Sequence, residues 1–261
     1  VVATNTKIFA AAIQMASSDD VDKNLRQADE LVKFAIDNGA EFVLLPENFG
    51  CMVKHTEDTF SVAEPFGDGK IQSAVSRLAE ESNLTIVAGS IPINGENGKA
   101  RSACIVYGTD GEVLARYDKK HLFDVYIEGS QETYCESDTF IHGSDITVID
   151  TCIGKVGLSI CYDIRFPEMY RKMIDKGVQV IVAPSAFTEQ TGRAHWEPLL
   201  RARAIENLCY VIAANQSGLH ANERKTYGNS MIIDPWGKII SRIEKGTGVI
   251  VSEIDLELQK R

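Results

Sequence analysis

The chain alternates short runs of consecutive apolar residues with longer stretches in which apolar positions recur every three or four residues. The first run, IFAAAIQM, lacks the in–out alternation of a half-solvated strand and reads as a strand buried on both faces, as in a parallel sheet. Behind it, Val21, Leu25, Ala28, Leu31, Val32, Ala35 and Ile36 recur at helical spacing, and Gly39 stands where such a helix stops. EFVLLPEN predicts a strand running into Pro46 and Glu47, a helix follows around 70–82, and LTIVAGSIPI is another buried strand. SACIVYGTDGEVLARYDK predicts two strands joined at Asp110-Gly111. GKVGLSIC, VQVIVAPSAF and NLCYVIAANQSG predict strands separated by the helices MYRKMIDKG and HWEPLLRARAIENL, the second with Pro198 in its first turn. YGNSMIIDPWGKIISRI predicts two strands about the turn Asp234-Pro235-Trp236-Gly237, and GVIVSEIDL a last strand.

Residues 124–145 break this pattern, being polar and without a period, and a loop that long in a compact chain is usually functional or mobile. No Pro/Ser-rich linker, repeat or low-complexity run divides the chain. The expectation is one α/β domain over residues 1–261, with mixed sheets, helices on the outer faces and reactive groups at the carboxyl ends of strands.

Composition narrows the function. With 27 Lys and Arg against 37 Asp and Glu, the net charge of −10 argues against a nucleic-acid partner. No apolar run approaches the ~18–20 residues of a membrane span. The start at Lys7, KIFAAAIQMASS, superficially resembles a signal peptide, but Gln14 interrupts it and it reads equally well as the first strand. The six cysteines are scattered and form no CxxC pair, which argues against a metal knuckle or a disulfide scaffold and for a reducing, cytoplasmic setting. Neither a metal nor a cofactor is expected.

Three predicted strand ends carry reactive groups: Glu47 after FVLLP, Lys119-Lys120-His121 after EVLARYD, and Cys161 after KVGLSI. A thiol is a poor nucleophile until deprotonated. A neighbouring carboxylate can serve as base and an ammonium can stabilise the charge that develops on an attacked carbonyl, so Glu, Lys and Cys suffice for acyl transfer.

LLPENF, YDKKHLFDV and GLSICYDIRFPE resemble, in order, the three signature blocks of the nitrilase, or carbon–nitrogen hydrolase, superfamily. AHWEPLLRARAIEN and YGNSMIIDPWG resemble further blocks of its amidase branch. The resemblance implies a four-layer αββα sandwich, dimeric or larger, with a Glu-Lys-Cys triad and no metal. It places the base at Glu47 and the nucleophile at Cys161. Aligning Tyr117 and His121 with the family pattern puts the lysine at Lys119, although Asp118 replaces a common Arg. A second family glutamate matches Glu136 in TYCESD.

A turn directly after Cys161 would aim the Tyr162 N–H at the developing oxyanion beside Lys119. Asp163 and Arg165 are expected to brace that turn, with Arg165 alternatively reaching substrate, and Pro167 fits the first turn of the next helix. The 124–145 loop and the segment 188–196 are expected to form cleft walls. Phe187, Thr191, His195, Arg165 and Arg193 are the candidate substrate contacts there.

The implied reaction is hydrolysis of a linear amide through a cysteine thioester, with ammonia released. The branch most resembled includes deaminated glutathione amidases and ω-amidases. PSAF, LLRARAIE and the CES loop lean to the former, with an ω-amidase acting on α-ketoglutaramate or α-ketosuccinamate, or a nitrilase, as alternatives. All the favoured substrates are small anions, so local charge must override the net charge. Two readings from other classes stand beside these: a non-catalytic member of the same fold, and a thiol redox protein using Cys161 with Cys152 or Cys135.

Overall fold

The structure is a computed structural model that describes residues 7–126 and 133–260; positions 127–132 of the 124–145 segment lie outside the described residues. The first half of the chain contributes β1 (Ile8–Gln14), β2 (Phe42–Leu44), β3 (Thr85–Asn94), β4 (Ala100–Tyr107) and β5 (Val113–Asp118). Between β1 and β2 runs the helix Val21–Asp37. The Asp20 carboxylate starts it by accepting the Lys23 N–H at 3.0 Å, and Gly39, at φ +86°, follows its end. The helix Lys70–Ser82 joins β2 to β3.

Short strands β6 (Asp124–Tyr126) and β7 (Thr133–Cys135) pair antiparallel, so the segment expected to be irregular carries a small two-stranded ribbon. Then come β8 (Val148–Thr151), β9 (Gly154–Leu158), β10 (Val180–Val182) and β11 (Tyr210–Ala213). The helices Pro167–Ile174 and Glu197–Asn207 lie between β9 and β11, and Pro167 and Pro198 sit in their first turns. The chain continues through β12 (Ser217–Leu219), β13 (Lys225–Tyr227), β14 (Ser230–Ile233), β15 (Ile239–Ile243) and β16 (Gly248–Ile254).

NLCYVIAANQSG is not one strand. It stops at Ala213 because the buried Asn215 and Gln216 side chains turn to hydrogen-bond other segments: the Asn215 amide donates to the Gly228 carbonyl at 2.6 Å, and the Gln216 amide to the Glu47 carbonyl at 3.0 Å.

These strands make two six-stranded sheets, ordered β16-β1-β2-β3-β4-β5 and β15-β14-β11-β10-β9-β8. Three parallel strands lie at the centre of each, β1-β2-β3 in one and β9-β10-β11 in the other. Strand periodicity sends alternate side chains to opposite faces. In the first sheet Ala11, Ile13, Val43 and Ile86 pack with Ala28, Val32, Ala35, Ile71 and Val75 of the two covering helices. Ala10, Ala12, Phe42, Leu44 and Val87 join a second core with Val156, Leu158, Val180 and Val211. Met169, Tyr170, Met173, Leu200 and Ala204 of the other two helices complete that core. The layers therefore run helix, sheet, sheet, helix, the αββα sandwich expected from the sequence. Among the described residues no helix is long and apolar enough to cross a membrane.

The carboxyl ends of the central strands meet across the sandwich. Met15 bridges Gln216, and the Ser17 N–H donates to the Gln216 side-chain oxygen at 3.0 Å. At this end the backbone of β3 passes very close to the segment after β2. A Cβ at Gly89 would stand 2.1 Å from the Leu45 carbonyl oxygen and 2.4 Å from that of Pro46. Gly89→Ala must therefore displace the chain two residues before Glu47. We expect it to lower the unfolding free energy by about 1–3 kcal/mol or more in a denaturant titration and to reduce activity with it. A variant as stable and as active as the parent would contradict this close approach.

Candidate active site

Cys161 sits where β9 gives way to a 3-10 turn, Cys161–Arg165. Its φ is +47°, a left-handed value that costs a non-glycine residue of order 1–3 kcal/mol and has to be held by its surroundings. Most of that hold comes from Asp163, which is fully buried. Its carboxylate accepts the Ile160 N–H at 2.8 Å, the Tyr117 hydroxyl at 2.7 Å and the His121 N–H at 3.0 Å, and it lies 2.7 Å from His121 Nδ1. Tyr117 and His121 flank Lys119, so one carboxylate ties the turn that bears the thiol to the strand end that bears the lysine. The Cys161 N–H donates to the Pro184 carbonyl at 2.9 Å.

Asp163 braces the turn as expected, but Arg165 does not. Its guanidinium lies 3.2 Å from His195 Nδ1 and over the rings of Tyr162 and Phe187, at 5.7 and 5.6 Å. The bracing cation is Arg203, which donates from Nε and Nη2 to the Ile164 carbonyl at 3.0 and 2.6 Å.

Glu47 follows β2, and Lys119 follows β5 directly. The Lys119 ammonium, 2% exposed, lies 2.8 Å from Glu47 Oε1 and 2.9 Å from the Glu136 carboxylate. The other Glu47 oxygen accepts the Ala186 N–H at 2.8 Å, and Glu136 Oε2 accepts the Phe123 N–H at 2.6 Å. The adjacent Lys120 points away, to the Ser144 carbonyl at 2.6 Å. The alignment on Tyr117 and His121 thus puts the lysine of the cluster where the structure has it.

The charges settle in a definite order. Burial alone would raise the Glu47 carboxyl, but the Lys119 ammonium, its hydrogen bond, the Arg224 guanidinium and the Cys161 thiol together hold it below its ordinary range. Burial raises Glu136, and the Glu47 anion adds to that against the pull of Lys119. Burial would lower Lys119, but Glu136 and Glu47 override it and keep the ammonium charged well above its usual range. Burial and the Glu47 anion push the Cys161 thiol up, with Lys119 opposing. The resting site is therefore a neutral thiol beside an ionised carboxylate and a fixed ammonium. Tyr162 is the second residue of the turn, so its N–H has no acceptor within that turn. Such a set can take a proton from a thiol and stabilise an oxyanion.

The cluster opens into a cavity of about 730 Å³ whose lining includes Glu47, Lys119, Glu136, Cys161, Tyr162, Phe187 and Thr191. Arg165, Arg193 and His195 do not line it; Arg193 instead pairs with Glu189 at 2.6 Å on the surface. Arg224, Lys54 and His55 do line it, and no sequence motif singles them out. Among the described residues no group of three or more His, Cys, Asp or Glu is placed to hold a metal ion.

Comparison with known proteins agrees with this architecture. The carbon–nitrogen hydrolase family model matches residues 9–260. A Synechocystis protein named deaminated glutathione amidase is 42% identical over 257 residues, which covers 97% of this chain and 93% of that protein. The Homo sapiens protein of the same name is 39% identical over 253 residues, covering 95% and 77%. Among solved structures, Saccharomyces cerevisiae Nit3, a member of branch 10 of the nitrilase superfamily, aligns with a TM-score of 0.87 at 31% identity, covering 97% of this chain and 92% of that one.

The charge order has a spectroscopic consequence. A thiol whose pKa is raised above its ordinary 9.0 stays protonated as pH rises through that value. The thiolate absorbance of the native protein minus that of Cys161→Ala should therefore stay flat from about pH 6 to pH 9. A thiolate step near neutrality would contradict the arrangement.

Proposed function

The chain belongs to the carbon–nitrogen hydrolase family, within the nitrilase superfamily, and from that premise we propose that it is an amidase acting on deaminated glutathione. The convergence of Cys161, Glu47 and Lys119 at one end of the cavity supports the chemistry. The relatives named for that activity support the substrate.

In the proposed mechanism Glu47 takes the thiol proton as Cys161 attacks the amide carbonyl, which spares the site a free thiolate at rest. The oxyanion forms against the Lys119 ammonium and the Tyr162 N–H, both in place before reaction. When the tetrahedral carbon collapses, its C–N bond breaks and the leaving amine takes the proton back from Glu47. The thioester that remains is attacked by a water deprotonated by Glu47, and the C–S bond breaks to release the acid and restore the thiol. Glu136 holds Lys119 in place throughout.

One expectation changes with the substrate. In deaminated glutathione the amide nitrogen carries the cysteinylglycine part, so the leaving amine is that dipeptide; ammonia leaves only from ω-amides such as α-ketoglutaramate. The cavity volume lies within the range of small-molecule sites and leaves room for the longer substrate. A homo-oligomer belongs to the same proposal. Exposed Ile205, Leu208 and Trp236 on the helix Glu197–Asn207 and the nearby turn support it.

Remote binding energy can raise kcat as well as lower KM, so the longer substrate should be the better one. We expect kcat/KM for deaminated glutathione to exceed that for α-ketoglutaramate at least about tenfold, a difference of about 1.4 kcal/mol. Equal or better turnover of α-ketoglutaramate would favour an ω-amidase. In the same assay Cys161→Ala should be inactive. Lys119→Ala should lose ~10²–10³ or more, as for an oxyanion donor, and Lys120→Ala should be close to the parent. Activity that survives Lys119→Ala and fails in Lys120→Ala would overturn the assignment.

A further inference from the structure

Arg224 stands at the turn between β12 and β13, its carbonyl accepting the His220 N–H at 3.0 Å. The buried His220 pins this hairpin: Nδ1 lies 2.8 Å from the Ser17 carbonyl and Nε2 2.7 Å from Thr226 Oγ1. From there the guanidinium reaches the wall of the cavity. Nη2 donates to the Ala186 carbonyl, and the group lies 5.1 Å from the Tyr134 ring centroid.

Among the described residues no carboxylate makes an ion pair with Arg224, although it is near enough to Glu47 to help hold that carboxyl below its ordinary range. Arg224 Nε is buried with no hydrogen-bond partner among the described residues. The carboxylates beside the thiol, Glu47 and Glu136, are both spent on Lys119. Glu57 and Glu223 also line the cavity, but neither makes an ion pair with Arg224. Among the other arginines withdrawn from water, Arg101 and Arg116 pair with Asp118 and Arg203 with Glu206, while Arg165 has no carboxylate partner but lies outside this cavity, against His195 and two aromatic rings. A partly desolvated guanidinium without a counter-ion is costly. Its planar fork fits a carboxylate better than any other small anionic group but phosphate.

We infer that Arg224 binds a carboxylate of the substrate and so sets the preference for anionic over neutral amides. The inference rests on the amidase reading of this cavity. It explains how an acidic protein takes an anionic substrate, and it moves that role from Arg165, Arg193 and His195 to a residue in the hairpin. Deaminated glutathione offers two carboxylates, one at its keto-acid end and one at its glycine end.

The test compares isosteric pairs in the native protein, Arg224→Gln and Arg224→Lys. The pairs are α-ketoglutaramate with its neutral diamide, and deaminated glutathione with its glycinamide form. We expect the native protein to favour, about a hundredfold in kcat/KM in at least one pair, the member that keeps the carboxylate amidated in the other, and Arg224→Gln to reduce that ratio to within about threefold. Collapse on the first pair assigns the keto-acid carboxylate; collapse on the second alone assigns the glycine carboxylate. Should Arg224→Gln fail to fold, Arg224→Lys keeps the charge without the fork and should still cost the ratio about tenfold. An unchanged ratio, whether all substrates lose activity equally or none does, would overturn the inference and leave Arg224 as a brace for Ala186. The substrate reading fails separately: α-ketoglutaramate turned over as well as deaminated glutathione, with the charge ratio still lost in Arg224→Gln, would sink that reading alone.

Discussion

The Lys119 ammonium has almost no contact with water, and its two carboxylate partners fix where the rest of the site sits. Withdrawing a charge costs several kcal/mol unless close partners and further hydrogen bonds offset it. Here the partners come from distant parts of the chain, Glu47 from the end of β2 and Glu136 from the turn after β7. Glu47 spends its second oxygen on the Ala186 N–H, just past β10 of the other sheet. The ion cluster thus joins the two sheets at the end where their central strands finish, and the thiol stands beside that joint.

The same constraint sets the chemistry. Because Lys119 stays charged and Glu47 stays ionised, no proton has to be rearranged before substrate arrives. The strained backbone of Cys161 is kept by Asp163, whose oxygens answer donors from the thiol turn and from both sides of Lys119. Nucleophile and oxyanion donor are therefore positioned by one buried carboxylate, and base and oxyanion donor by one buried ammonium. Catalysis by preorganised charge asks for this kind of rigidity.

Much of this is legible in the sequence. The apolar runs mark the central strands because burial on both faces leaves no alternation, and the reactive residues mark themselves by following those runs. What escapes is long-range. Arg165, in the Cys161 turn itself, looks able to brace it, yet packing of the helix Glu197–Asn207 brings Arg203 to the Ile164 carbonyl instead. Arg224 carries no motif, and its position depends on a hairpin pinned by His220 to Ser17, 203 residues away in sequence. Gln216 looks like the polar end of a strand, and its role as a tie between the sheets appears only once β1 and β2 are in place beside it. The polar 124–145 segment hides a strand pair because three residues a side are too few to establish a period.

The central claim is that the Glu47–Lys119–Cys161 group acts as one acyl-transfer unit with the acyl group carried on sulfur. Rapid acid quenching of the native protein during turnover of deaminated glutathione, followed by peptide mass analysis, tests it most directly. The account predicts a transient α-ketoglutaryl adduct on the peptide containing Cys161, decaying as free acid is released. Turnover with no adduct on that peptide, or with the acyl group on Cys51 or Cys135 in the same cavity, would contradict it.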